Sequence, residues 1–271
     1  MPALIFQLII YNMALEKQLS PGILKVSFPR GVRGVALDVD ESIVPGDTYS
    51  AVAIARGVLD KTAKIYERYL AEVRAGNPMA YLHMKTATMK ALTADGRKPL
   101  KLDEWLEILD ELGFAEGVLE LIEYCNLNNL PVGFNSSSIV PYIDMLVLKI
   151  KKQGLRIDFA SGNTRVKVNQ NGEIIDLEQN EPFPHHKWLA HLEVCRRFGI
   201  FPEELLMVDD GDTGVEIAEN AKVVAFTRKH VVLNALAIGY IDTFSELQSV
   251  LEAHISEIRS ELLVRRDPQD S

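Results

Sequence analysis

Val35-Ala36-Leu37-Asp38-Val39-Asp40-Glu41-Ser42 is the stretch on which the reading of the fold turns. An apolar run climbs to an aspartate, an apolar residue, a second aspartate and, two positions on, a hydroxyl. Val35 to Leu37 read as a strand buried on both faces, the mark of a parallel sheet. Charge at the carboxyl end of such a strand falls where open α/β sheets bind ligands. The two-residue period of a strand sets Asp38 and Asp40 on one side for as long as the chain stays extended. Two carboxylates so close are costly to bury unless a cation lies between or beside them. The stretch therefore asks for a metal ion, a basic partner, or both.

Moving outward, Ile43-Val44-Pro45-Gly46-Asp47 is turn chemistry that ends the strand. Residues 48–113 then read as helical, with no strand signal among them. The apolar spacing from Ala51 to Leu70 predicts one helix reaching toward Gly76-Asn77-Pro78, followed by helices at Met79 to Leu92 and Leu102 to Leu112. A helical insert directly after the first strand looks like a cap over the strand ends. The expected division is a core of residues 1–47 and 114–271 with a helical cap at 48–113.

Beyond Phe114 the pattern alternates β and α. Helices are predicted at Val118 to Leu127, Pro141 to Lys152, Trp188 to Phe198 and Val215 to Asn220. Strands are predicted at Leu130 to Phe134, Ile157 to Ala160, Leu205 to Val208 and, as the last of the core, Val223 to Phe226. Arg165 to Val168 and Glu173 to Ile175 flank Asn171-Gly172, a hairpin signal with a type I′ turn. A long amphipathic helix runs from Phe244 to Leu262, and packing on its own core is its expected use, leaving a monomer or a homodimer.

Composition narrows the function classes. With 271 residues, 47% of them hydrophobic, the chain has ample material for one large domain or a core with an attachment. A formal net charge of -9 argues against a nucleic-acid partner or an anionic membrane surface. The two cysteines, Cys125 and Cys195, sit in apolar helical contexts, so a reducing, cytoplasmic setting is the expectation. Met1 to Tyr11 are apolar but too short to span a bilayer and carry no basic leader. Met13 offers an alternative start, and a start-site artefact and a packed N-terminal element weigh evenly.

Four strand ends or helix starts carry polar residues that an apolar sheet does not otherwise need: Asp38 and Asp40, Ser136 in its serine cluster, Lys187 at a helix start, and Asp209-Asp210. Singly each is weak. An aspartate at a strand end is most often a turn former, and Ser136 to Ser138 also suit the cap of a helix beginning near Ile139. In this order and spacing they resemble the four motifs of the haloacid dehalogenase superfamily of phosphohydrolases, over about residues 32–226. The cap after the first strand and the hairpin between the serine and lysine motifs resemble the phosphoserine-phosphatase-like branch.

The resemblance implies a three-layer, Rossmann-like α/β sandwich with a parallel central sheet, and a Mg²⁺-dependent phosphatase for a small phosphorylated metabolite. It assigns Asp38 as nucleophile forming an aspartyl-phosphate, and Asp40 as acid and base toward the leaving alcohol and the attacking water. Ser136 binds a phosphate oxygen, with Asn135 as the alternative, and Lys187 supplies positive charge to Asp38 and the phosphoryl group. An all-oxygen donor set suits a hard ion. Asp38, Asp210 and Asp209 are its candidate ligands, together with Asp40 through a nearby backbone carbonyl. Asp210 is favoured for direct ligation and Asp209 for a water-mediated role or for orienting Lys187. The superfamily's dehalogenase branch lacks the second aspartate, so Asp40 favours phosphoryl chemistry.

Two departures from the family pattern stand out. Its last motif commonly runs Gly-Asp-Gly-x-x-Asp, where this chain reads Asp209-Asp210-Gly211-Asp212-Thr213-Gly214. The branch's phosphoserine-reading Glu and Arg find no match in the cap, so phosphoserine is not supported as substrate. Tyr81, His83, Lys85, Arg97 and Lys98 are the candidate substrate contacts there, while His185 and His186 read as polar loop residues. The competing readings are a phosphotransferase with the same intermediate, a phosphoreceiver switch, and a non-catalytic binding protein. Against a receiver, the acceptor aspartate lies on the first core strand and is followed by a long helical insert.

Overall fold

The computed structural model describes residues 31–75, 77, 79–93, 98–180, 185–227 and 230–264. The apolar leader and Arg97 lie outside them. Among the described residues seven strands form one sheet: β1 (Gly34–Leu37), β2 (Val132–Ile139), β3 (Phe159–Val168), β4 (Ile174–Gln179), β5 (Leu205–Asp209), β6 (Val223–Phe226) and β7 (Gly239–Ile241), in the order β4-β3-β2-β1-β5-β6-β7. Every pairing is parallel except β3 with β4. The expected α/β sandwich is the fold observed. Chain order reverses on either side of β1, which makes the end of β1 the switch point where such sheets open a crevice.

Alternation along the strands divides the interior into two clusters. Val35, Leu37, Phe134, Val208 and Phe226 face one side of the sheet, whereas Ala36, Met207, Val223 and Ala225 face the other. Both faces are dry, as the continuous apolar runs demand. Close approach between β2 and β3 depends on Gly133. A Cβ there would meet the Phe159 carbonyl oxygen at 2.0 Å, closer than any side chain can come.

The helices are α1 (Thr48–Ala55), α2 (Leu59–Arg74), α3 (Ala80–Thr93), α4 (Leu102–Asp110), α5 (Val118–Leu127), α6 (Val140–Lys152), α7 (His186–Phe198), α8 (Val215–Asn220), α9 (Val231–Leu236) and α10 (Phe244–Val264). What reads as one helix up to Leu70 is two, broken at Gly57, whose φ of +63° a helix does not accept. α1 and α4 pack against the sheet: Val52, Ala53, Trp105 and Leu109 join the same apolar cluster as β1 and β2. By contrast α2 and α3 pack mainly on each other. Among the described residues no helix is long and apolar enough to cross a membrane.

The structure corrects several expectations. β2 runs on to Ile139 and takes the serine cluster with it, so Ser136 to Ser138 lie in a strand and do not cap α6. β3 runs to Val168, β5 takes in Asp209, and β7 follows the strand expected to be last. The β3–β4 turn is not type I′, which needs positive φ at both central residues. Gly172 is left-handed at +75° and Asn171 is not. The loop is shaped from outside: Leu102 N–H donates to Gly172 O at 3.0 Å, and Ile174 N–H to Leu100 O at 2.9 Å.

Candidate active site

Register brings the polar strand ends into one row. Leu37 pairs with Phe134 on one side and Val208 on the other, so the next residues in each strand, Asp38, Asn135 and Asp209, emerge together. Directly after Asp38 the chain leaves the sheet in a π-type turn over Val39–Ile43, with Glu41 at φ 56°. A non-glycine residue in that region is uncommon and concentrates at functional sites. Asp38 and Asp40 both line a cavity of about 430 Å³ above the strand ends, within the roughly 300–1,000 Å³ usual for small-molecule sites.

Lys187, the second residue of α7, is completely buried, with its ammonium between two carboxylates, 2.9 Å from Asp38 and 2.5 Å from Asp209. Burial opposes the charge, but Asp209 and Asp38 more than offset it and hold the ammonium above the ordinary lysine range. Asn135 fixes this helix start by donating from Nδ2 to the Lys187 carbonyl at 2.9 Å. Its amide is thereby committed to the scaffold, which leaves Ser136, lining the cavity, as the better placed of the two phosphate candidates.

Asp38, Asp209 and Asp210 have carboxylate oxygens within 4.8 Å of one another. One lysine does not balance them: burial, and then the charges of Asp38 and Asp209, push Asp210 up to about 9. Three hard oxygen donors with a charge deficit fit a divalent ion of the Mg²⁺ type. The Asp40 side chain stands outside this trio.

Asp209 also explains Gly214. A Cβ at position 214 would lie 2.6 Å from the Asp209 carboxyl carbon. The Asp209 carboxylate therefore fills the space of a side chain at the position where the family's commoner motif has its second acid. In the resemblance set out above, Asp209 stands at the motif's glycine and Gly214 at its second aspartate.

The Asp40 carboxylate accepts from Thr48 N–H at 3.0 Å and from the Thr48 hydroxyl. That hydroxyl lies 2.9 Å from Ser138 Oγ, and the Thr48 carbonyl accepts from Trp105 Nε1 at 3.3 Å. Burial, then Asp47 and Asp38, push Asp40 up to about 7. Thr48, which holds the Asp40 carboxylate, is a contact that sequence reasoning missed. Its only local signal is a hydroxyl directly after Asp47, which caps α1 through bonds to the Tyr49 and Ser50 amides.

The remaining candidates separate. His186 is no loop residue; it is buried in the first turn of α7 with Nε2 2.7 Å from Ser137 Oγ, and burial lowers it to about 3. His185 is exposed and pairs with Glu216 at 2.8 Å. Tyr81 lines the cavity. Lys85 does not: it is buried behind it, donating to Thr164 and resting 4.6 Å from the Tyr81 ring centroid. His83 faces away, 2.8 Å from Glu72. Lys98 is exposed and offers its carbonyl to Arg56. Tyr49, Tyr66 and Tyr69 also line the cavity and were not anticipated, because helical tyrosines give no local sign of which face meets a ligand.

No family model matches the chain. A phosphoserine phosphatase of Archaeoglobus fulgidus is 27% identical over 235 residues, 83% of this chain and 62% of that protein; the chain thus spans less than two thirds of the relative's length. A phosphoserine phosphatase solved as a phospho-aspartyl intermediate analogue superposes with a TM-score of 0.65 at 20% identity, over 83% of this chain and 99% of that one. A haloacid dehalogenase family hydrolase from Salmonella enterica serovar Typhi gives 0.66 at 15% identity, over 79% and 68%. At such identities the structures share the fold. The likeness of the chain is to the phosphoserine-phosphatase-like branch of the haloacid dehalogenase superfamily.

Proposed function

We propose, from that likeness and from the site, that this chain is a Mg²⁺-dependent phosphatase that hydrolyses a small phosphomonoester through an aspartyl-phosphate on Asp38. One observation carries the reading: a buried carboxylate held by a buried ammonium, with a second carboxylate two residues on facing the same cavity. We further propose that residues 48–113 act as a cap on a core formed by 1–47 and 114–271.

In this reading Lys187 holds Asp38 aimed, and Ser136 binds a phosphoryl oxygen. Asp38 attacks phosphorus as the ester P–O bond breaks, and Asp40 gives its proton to the departing alcohol oxygen. Asp40 then takes a proton from water as the water oxygen attacks the aspartyl-phosphate, releasing inorganic phosphate and free Asp38. Acid–base work of this kind contributes roughly 10²–10⁴-fold. Bound by Asp38, Asp210 and Asp209, Mg²⁺ would offset the repulsion between an anionic nucleophile and an anionic phosphoryl group. Thr48 positions Asp40 from the first turn of α1, so acid–base geometry depends on the helical segment.

The test is turnover of p-nitrophenyl phosphate with and without Mg²⁺. Hydrolysis should require the ion and fall to background in Asp38→Asn, whose amide is neither a competent nucleophile nor an anionic ligand. Near-normal turnover in that variant sinks the covalent mechanism, and a stable acyl phosphate without turnover points to a switch instead.

A further inference from the structure

The roof of the cavity has a chemistry of its own. Tyr49, Tyr66, Tyr69 and Tyr81 line it, and Glu41, Asp47 and Asp212 add carboxylates outside the trio and Asp40. Among the described residues no lysine, arginine or histidine lines it. Tyr66, Tyr69 and Tyr81 form a run, with ring centroids 5.7 and 6.3 Å apart. Tyr66 and Tyr69 are tilted at 39° and Tyr69 meets Tyr81 edge to face at 65°, and the face of each such ring carries negative quadrupole. The carboxylates reach these rings: Asp212, Glu41 and Asp47 stand behind burial in holding the Tyr66 hydroxyl above its ordinary value.

A leaving group with a carboxylate would meet acids and no cation in this space, at a cost that a water-poor cleft magnifies. An ammonium group meets the reverse. Asp212 is paired with His230 and Asp47 with the α1 amides, so both acids are held in place.

We propose that the roof selects a phosphomonoester whose alcohol carries an ammonium group, a phosphorylated amino alcohol, with a methylated ammonium fitting the tyrosine faces best. This rests on the phosphatase reading and adds the substrate class to it. Cation–π contact and the flanking acids together favour a cationic ester by roughly tenfold or more over a neutral one of the same shape.

The experiment compares kcat/KM of the purified full chain with Mg²⁺ on phosphocholine, on its neutral carbon isostere 3,3-dimethylbutyl phosphate, on phosphoserine and on p-nitrophenyl phosphate. The expected result is phosphocholine ahead of the isostere by about tenfold or more and ahead of phosphoserine. Equal values for the charged and neutral esters, or a preference for phosphoserine, overturn the inference while p-nitrophenyl phosphate turnover leaves the phosphatase reading standing. Loss of all four activities overturns both. The exposed Tyr66 allows a check without disturbing the core: Tyr66→Leu should lower the charged-to-neutral ratio and Tyr66→Phe should keep it. A ratio unmoved in both Tyr66→Leu and Glu41→Gln overturns the assignment.

Discussion

Beneath the floor of the cavity Lys187 has no exposed surface and touches two carboxylates; in the roof Tyr66 is 53% exposed, with its ring centroid 5.7 Å from that of Tyr69. The floor is set by β1, β2 and β5, whose register is locked by apolar residues on both faces. The roof stands on α2 and α3, which pack mainly on each other. Chemistry needs groups held to a fraction of an ångström, and only the buried sheet supplies that rigidity. Selection among leaving groups needs only a surface of the right chemistry, which a less buried pair of helices can carry and change.

The widest separation between floor and roof should come from Lys187→Met. It leaves three clustered carboxylates without their ammonium, and breaking a buried pair in this way costs about 3–5 kcal/mol. Denaturant unfolding without metal should show that loss, with part of it recovered on adding Mg²⁺, and turnover should vanish. Tyr66→Leu should stay within about 0.5 kcal/mol of the parent. Similar losses in the two variants would erase the distinction between floor and roof.

A finer break lies within the floor. Gly214→Ala places a methyl 2.6 Å from the Asp209 carboxyl carbon and should cost most of the activity by displacing that carboxylate. Asp209→Gly should lower Mg²⁺-dependent turnover as well. The double variant Asp209→Gly with Gly214→Asp returns a carboxylate to the same space from the turn, and should recover part of the rate. Mg²⁺ titrations of activity decide it: a double variant no better than either single one means that the two positions do not exchange roles.

At neutral pH the quietest group of the floor's own helix lies one turn beyond Lys187. His191 is fully buried, with Nε2–H donating to the Pro202 carbonyl at 3.0 Å and Nδ1 without a partner among the described residues. Burial therefore keeps the ring neutral and lowers it to about 4. Its folded pKa is below its unfolded one, so stability is full above about pH 6.5. It falls by about 1.4 kcal/mol per unit as pH drops through the window toward the folded value. His191→Gln retains a donor for Pro202 and should flatten that part of the stability–pH profile. An unchanged slope would mean that other groups set it.

Much of this was legible in the sequence because it is written in short-range pattern. The apolar run before Asp38 fixes a buried parallel strand, the alternation after Phe114 fixes the α/β layers, and Asp38, Asp40, Lys187 and Asp209-Asp210 mark strand ends and a helix start. Other features depend on partners distant in the chain. Type I′ geometry at Asn171-Gly172 lost to hydrogen bonds with Leu100 and Leu102, and His186 was drawn inside by Ser137. Lys85, a candidate for substrate contact, is turned instead toward Thr164 and the Tyr81 ring.

By itself, then, the sequence determined the α/β class, most of the strands and helices and the residue types near the strand ends, since these follow from periods of two and 3.6 residues and from burial. Tertiary structure decided which side chains meet across that framework. It placed Lys187 between Asp38 and Asp209, fitted Asp209 into the space above Gly214, tied Asp40 to Thr48 and gathered tyrosines from three helices over one cavity. Each of these joins residues remote in sequence or turned toward one another only by packing, and no local period encodes such a meeting.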